Sequence, residues 1–252
     1  MNEPRPRPIL AGGLGSANPV GGLVLGAALV AVGFVAWQFA STALDLREYM
    51  LPPPGQVLEA LSDHWPTLSP AITVTARTAT ISAVIGIGIA APVCVLLGAL
   101  ALAMPGFSRA MRFTAVWIGD AGPLIVVTLL PLFVVWVGIS EGMRIRAAAT
   151  GSALAFATSL LGVLTANGIA GLALAVLRGL RHASLLALLL IVVCDMVSGR
   201  DGLGHMLLAA TAMLNMPLAV AAALVIWTGG LALCAILLVL EWAVARTVER
   251  AR

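Results

Sequence analysis

Three ionisable side chains stand inside otherwise apolar runs: Arg77, Asp120 and Asp195. A charge in lipid costs about 2.5–3.5 kcal/mol on insertion scales, so such groups usually face a partner, a solute or a water-filled path. Arg77 and Asp195 lie at similar depth from the same end of their runs, Arg77 about 10 Å in at 1.5 Å per residue. Their opposite signs predict an ion pair. That pair would act as a helix-to-helix staple, or as an anion-attracting arginine restrained by its aspartate. Asp120 has no obvious partner at its depth. It either sits neutral among apolar neighbours or lines a polar path.

Other chemistry is scarce. All 14 basic residues are arginine. A phosphate-binding loop needs a lysine that reaches the terminal phosphates, and Schiff-base catalysis needs a lysine amine. Any ATP used by this protein is therefore bound by another subunit. Cys94, Cys194 and Cys234 all fall in apolar stretches far apart in sequence, which favours packing over reactivity. His64, His182 and His205 show no metal-ligand spacing. No Ser/His/Asp set or carboxylate pair falls on one face. We expect no catalytic residue, no metal, no cofactor and no enzyme activity. The net charge of +3 comes from scattered arginines and gives no basis for nucleic-acid binding.

The elements that must hold these residues follow from the charge-free runs Pro8–Leu44, Thr78–Ser108, Ala121–Ser140, Ala147–Leu177 and Met206–Leu240. About 20 apolar residues cross a bilayer as a helix, and unbroken apolarity excludes a barrel. The fold class is an all-α membrane protein of about six spans: 20–43, 70–101, 110–137, 143–165, 168–197 and 216–242. The Ala147–Leu177 run exceeds one span, and Asn167-Gly168 and Gly171 mark a tight turn that divides it. With the N-terminus inside, Arg5, Arg7, Arg109, Arg112, Arg178, Arg181, Arg246, Arg250 and Arg252 are cytoplasmic, while Arg47, Arg144, Arg146 and Arg200 lie outside. Both termini are then cytoplasmic, as tails 1–19 and 246–252 around a single membrane domain, 20–245. The first run is too long for a cleaved signal and reads as a retained anchor. Two short amphipathic helices lie in the outer interface, one over 56–65 with Val57, Leu58, Leu61 and Trp65 at helical spacing, the other over 204–215. They either cover the bundle or dock a partner.

Several segments resemble the integral-membrane permeases of binding-protein-dependent ABC importers, in the subgroup handling nitrate, sulfonates and taurine. Leu51-Pro52-x-Pro54-x-x-Val57-Leu58-x-x-Leu61 resembles that subgroup's entry to its outer helix, and Arg77 matches an arginine after small hydroxyl residues. Pro131-Leu132-x-x-x-Trp136-x-Gly138-Ile139-x-Glu141 resembles its P-L-x-x-x-W-F-G-I-x-E segment, and Gly151 matches a family glycine. Gly179-Leu180-Arg181 resembles its G-x-R, Val192-Val193-Cys194-Asp195-Met196 its V-V-A-E-M, and Gly202-Leu203-Gly204 its G-L-G. The similarity covers about residues 45–245.

The resemblance implies a type I importer permease bundle in the bacterial inner membrane. It also implies a second permease subunit, ABC ATPase subunits that hydrolyse ATP, and a periplasmic or lipid-anchored substrate-binding protein. Arg77, Asp120 and Asp195 would line the solute pathway. Leu51, Pro52, Pro54, Val57, Leu61 and Glu141 would form the outer docking face. Two departures qualify this. The family's E-A-A…G docking loop between spans four and five is absent: Thr165-Ala166-Asn167-Gly168-Ile169-Ala170-Gly171 only turns the chain. Gly119-Asp120-Ala121-Gly122-Pro123 replaces a regular proline-bearing approach to Pro131. The chain is therefore expected to be a degenerate half beside a loop-bearing partner. The alternative is a permease-derived scaffold or regulatory subunit without transport.

Overall fold

The computed structural model describes residues 19–43, 51–167, 172–198 and 201–250, with some side chains in α1, α4 and the last turns of α5, α6 and α8 outside that description. Eight helices follow in order: α1 Pro19–Ala43, α2 Pro54–Asp63, α3 Trp65–Ala103, α4 Pro105–Val137, α5 Glu141–Asn167, α6 Leu172–Ser198, α7 Leu203–Ala212 and α8 Met216–Arg250. No strand occurs among the described residues. The expected tails lie partly outside these ranges, as do Arg47, Gly168–Gly171 and Arg200.

Local sequence sets the breaks. Proline stands in the first positions of α2, α3 and α4, where its fixed φ suits a helix start and no N–H is missed. His64 joins α2 to α3, its amide bonded to Ala60 O at 3.1 Å. The short helix thus closes at Asp63, and Trp65 opens α3 rather than ending the outer helix as its spacing had implied. α4 stops at Gly138, whose φ of 77° carries the chain out of the helix. Ser140 Oγ accepts the Met143 amide at 3.2 Å and caps α5. Leu214 adopts φ 58° between α7 and α8, a left-handed turn held by the Asn215 amide on Ala210 O at 2.9 Å.

α5 lies at the centre, packed on α6, α3 and α4. One apolar cluster joins Ala90 and Cys94 of α3 to Phe156 and Leu160 of α5 and Ala175 and Ala183 of α6. Small residues allow the approach: a Cβ on Gly86 would press on the α5 backbone near Ala153 at 2.9 Å, and one on Gly179 would meet Phe156 at 2.9 Å. α7 and α8 close the side of α6, with Leu203 and Ala222 packed on Leu68, and α2 rests against α8. α1 touches this body chiefly at α2, and Trp37 Nε1 donates to Pro52 O at 3.1 Å.

The surface is apolar and the interior carries hydroxyls, the reverse of a soluble domain. Val84 and Leu96 of α3, Val135 and Trp136 of α4, and Trp227 and Leu231 of α8 are exposed, whereas Thr75, Thr78, Ser82 and Ser152 are buried. Among the described residues, three helices are long and apolar enough to cross a membrane: α3 over Trp65–Leu100, α6 over Leu172–Val197 and α8 over Met216–Thr247. Shorter apolar stretches are Ala31–Ser41, Leu124–Val137 and Leu203–Ala212. These features mark a helical membrane protein.

Candidate functional site

The most concentrated polar chemistry lies where α3, α5, α6 and the start of α7 meet. Asp195 is fully buried in the penultimate turn of α6. Arg144 Nη1 donates to its Oδ1 at 2.8 Å and to the carbonyl of Asp201 at 3.2 Å. Thr75 Oγ1 donates to Asp195 Oδ2 at 3.0 Å and accepts the Leu203 amide at 2.9 Å. Both carboxylate oxygens are thus held, one by a guanidinium and one by a hydroxyl that itself captures the first amide of α7. Arg144 Nε is buried without a hydrogen-bond partner among the described residues.

Helical register explains why Arg144 reaches inward. Gly138 and Ser140 start α5 at Glu141, so Arg144 falls in its first turn on the face of Ala147, Ala148 and Gly151, all buried. The expected partner, Arg77, is exposed. Buried Thr75, Thr78, Ala79 and Ser82 mark the inner face of α3. Two residues after Thr75, Arg77 is turned about 200° round the helix at about 100° per residue. The expected pairing is corrected on azimuth: Asp195 does form an ion pair, but with Arg144, which sequence had placed on the outer side. A basic residue three positions after a helix-starting glutamate, in line with buried alanines, was the available signal.

The glycine motif beside Asp195 is a steric requirement. Gly202 has φ 100°, and a Cβ there would run into the Asp195 carboxylate and come within 2.9 Å of Thr75 Oγ1. A Cβ on Gly204 would meet Asp195 Cβ at 2.9 Å and the Val192 carbonyl carbon at 3.0 Å. Val192-Val193-Cys194-Asp195-Met196 and Gly202-Leu203-Gly204 are therefore one physical unit, a carboxylate and the backbone folded over it. Buried charges of this kind cost much if one partner is lost and little if both are replaced, so the cluster specifies an arrangement of helices more than it adds stability.

The remaining named residues are dispersed. Asp120 lies in α4, but its side chain is outside the described residues. Pro52, Pro54 and Val57 are buried and Leu51 and Leu61 half-buried, so this segment fastens α2 to the body rather than presenting a docking face. Glu141 is exposed. Pro131, Leu132 and Trp136 face outward from α4. Arg181 stands in the N-terminal half of α6, about 21 Å along the helix from Asp195 at 1.5 Å per residue, its Nη1 3.7 Å from Glu241 Oε2 of α8. Cys94 and Cys194 are buried free thiols. Thr75 and Leu203 also border an apolar cleft of about 410 Å³ between α3, α6 and α8. The cluster offers no open nucleophile, and its contacts describe a tie between helices. Comparison with models of known protein families, with curated proteins and with solved structures finds no match for this chain.

Proposed function

We propose that this chain is a permease-like membrane subunit of an ABC-type importer for a small solute, an anion such as nitrate, a sulfonate or taurine. It spans the bacterial inner membrane six times with both termini cytoplasmic. It works beside a loop-bearing partner permease, with ATP hydrolysed on separate subunits and solute delivered by a periplasmic or lipid-anchored binding protein. The observation that carries this reading is the convergence of separate family-like segments. Asp195, the Gly202-Leu203-Gly204 turn and Thr75, two residues before Arg77, meet in one buried cluster. Six helices of 25 residues or more with short connections support the same reading.

The test is affinity purification of the tagged chain from native membranes. Recovery of an ATPase together with a second, loop-bearing permease supports the proposal, and recovery of neither rejects it. A second reading, a permease-derived scaffold without transport, is favoured by one feature. α5 closes at Asn167 and α6 opens at Leu172, which leaves too little chain for a docking helix.

A further inference from the structure

The three helices long and apolar enough to cross a membrane among the described residues also form most of the cleft wall, with Leu203 of α7 beside them. Its walls are Ala76, Ala79 and Ala83 of α3, Ser184 of α6, and Val225 and Gly229 of α8, among other small or aliphatic residues. A volume of about 410 Å³ lies within the usual range of ligand pockets, roughly 300–1,000 Å³. Polar contacts inside are limited to hydroxyls, so a soluble anion would find no partner there.

Charge gathers at one end. Leu180 borders the cleft, and Arg178 and Arg181 flank it on α6. Arg178 Nε donates to Glu241 Oε1 of α8 at 2.6 Å. Arg181 Nη1 stands 3.7 Å from Glu241 Oε2, an ion pair too long for a hydrogen bond, and Arg181 Nε and Glu241 Oε2 have no hydrogen-bond partner among the described residues. Farther along α8, Arg246 lies 3.7 Å over the Trp242 ring. Three arginines thus answer one carboxylate, beside an exposed tryptophan of the kind that settles at headgroup level.

We propose that this cleft binds one anionic phospholipid, with an acyl chain between α3, α6 and α8 and the headgroup phosphate on Arg181 and Arg246. The apolar cavity selects a chain, and the excess of guanidinium over carboxylate selects a phosphate without a compensating choline. Basic pockets between membrane helices bind acidic headgroups by this logic. The inference requires only that α3, α6 and α8 cross a membrane, so its failure would leave the importer reading standing.

The purified full chain is incubated with phosphatidylglycerol or phosphatidylcholine of identical acyl chains, or with glycerol phosphate alone. Retained lipid is read by native mass spectrometry and Tm by thermal unfolding. Phosphatidylglycerol should be retained about thirtyfold over phosphatidylcholine, given about 1 kcal/mol for each of the two arginines near the surface, and should raise Tm. Glycerol phosphate should do neither. Arg181→Gln should cut the headgroup preference to about fivefold, the share left on Arg246. Gly229→Leu adds bulk from a wall position whose Cβ meets nothing within 4 Å. It should expel both lipids, whereas Gly88→Leu, equally open and outside the cleft, should not. Equal retention of both lipids, a preference left unchanged by Arg181→Gln, or a Tm rise with glycerol phosphate alone would each overturn the proposal. So would a dimer that Gly229→Leu dissociates without any lipid effect, which would make a second copy the occupant.

Discussion

Arg144 and Asp195 approach within 2.8 Å across α5 and α6, with the arginine side chain 7% exposed and the aspartate fully buried. A single guanidinium nitrogen serves both this carboxylate and the Asp201 carbonyl. The pair therefore fixes the start of α5 against the end of α6 and the turn that follows it.

Breaking that pair from one side should cost about 3–5 kcal/mol, because the survivor is a buried charge without a partner. Arg144→Met and Asp195→Leu should each lower unfolding stability by that order, and the double variant by clearly less than their sum. Thermal or denaturant unfolding of the four proteins in one detergent measures the coupling. Strict additivity would mean that the two charges do not interact.

Arg77→Gln should change stability by no more than about 0.5 kcal/mol, the usual range for an exposed substitution. Under the same conditions, a loss as large as that of Asp195→Leu would place Arg77 in the buried network after all.

Thr75 both donates to Asp195 and accepts from the Leu203 amide. Thr75→Val keeps the shape and leaves two buried groups unpaired, for a cost of about 1–3 kcal/mol. Thr75→Ser should recover most of it. If valine and serine behaved alike, the hydroxyl would have no role.

Gly202→Ala should be strongly destabilising, since its φ of 100° and the Asp195 carboxylate both oppose a side chain. Gly88→Ala, in a helix with nothing within 4 Å of the new Cβ, should be neutral or gain up to about 1 kcal/mol. The same stability assay would count against the packing of the Gly202 turn if Gly202→Ala proved as benign as Gly88→Ala.

Much of the scaffold was legible because apolar runs and their breakers act locally. The expected ends at Ala43 and Val137 coincide with the ends of α1 and α4, and Asn167 closes α5 inside the long Ala147–Leu177 run. Three of the six expected spans reach the length and apolarity of a crossing helix. α5 carries Glu141, Arg144, Arg146 and several hydroxyls, which dilute its apolarity. Asp195 and the Gly202–Gly204 turn were visible as types in a pattern, but the choice between Arg77 and Arg144 was not. It depends on the rotation of α3 and on where α5 begins, and both are set by packing between segments distant in sequence. Pro52 and Val57 show the same limit: their spacing marks a helix entry, while only tertiary packing makes them interior.

If the chain is the proposed importer subunit, it should be unable to engage an ATPase alone. The direct measurement is ATP hydrolysis and solute uptake in proteoliposomes that contain the importer ATPase and either this chain alone or this chain with its co-purifying permease. No ATPase binding and no stimulated hydrolysis are expected with the chain alone, and both, with uptake, once the loop-bearing partner is present. Coupled hydrolysis and uptake by the chain alone would contradict this expectation and assign the coupling role to another segment.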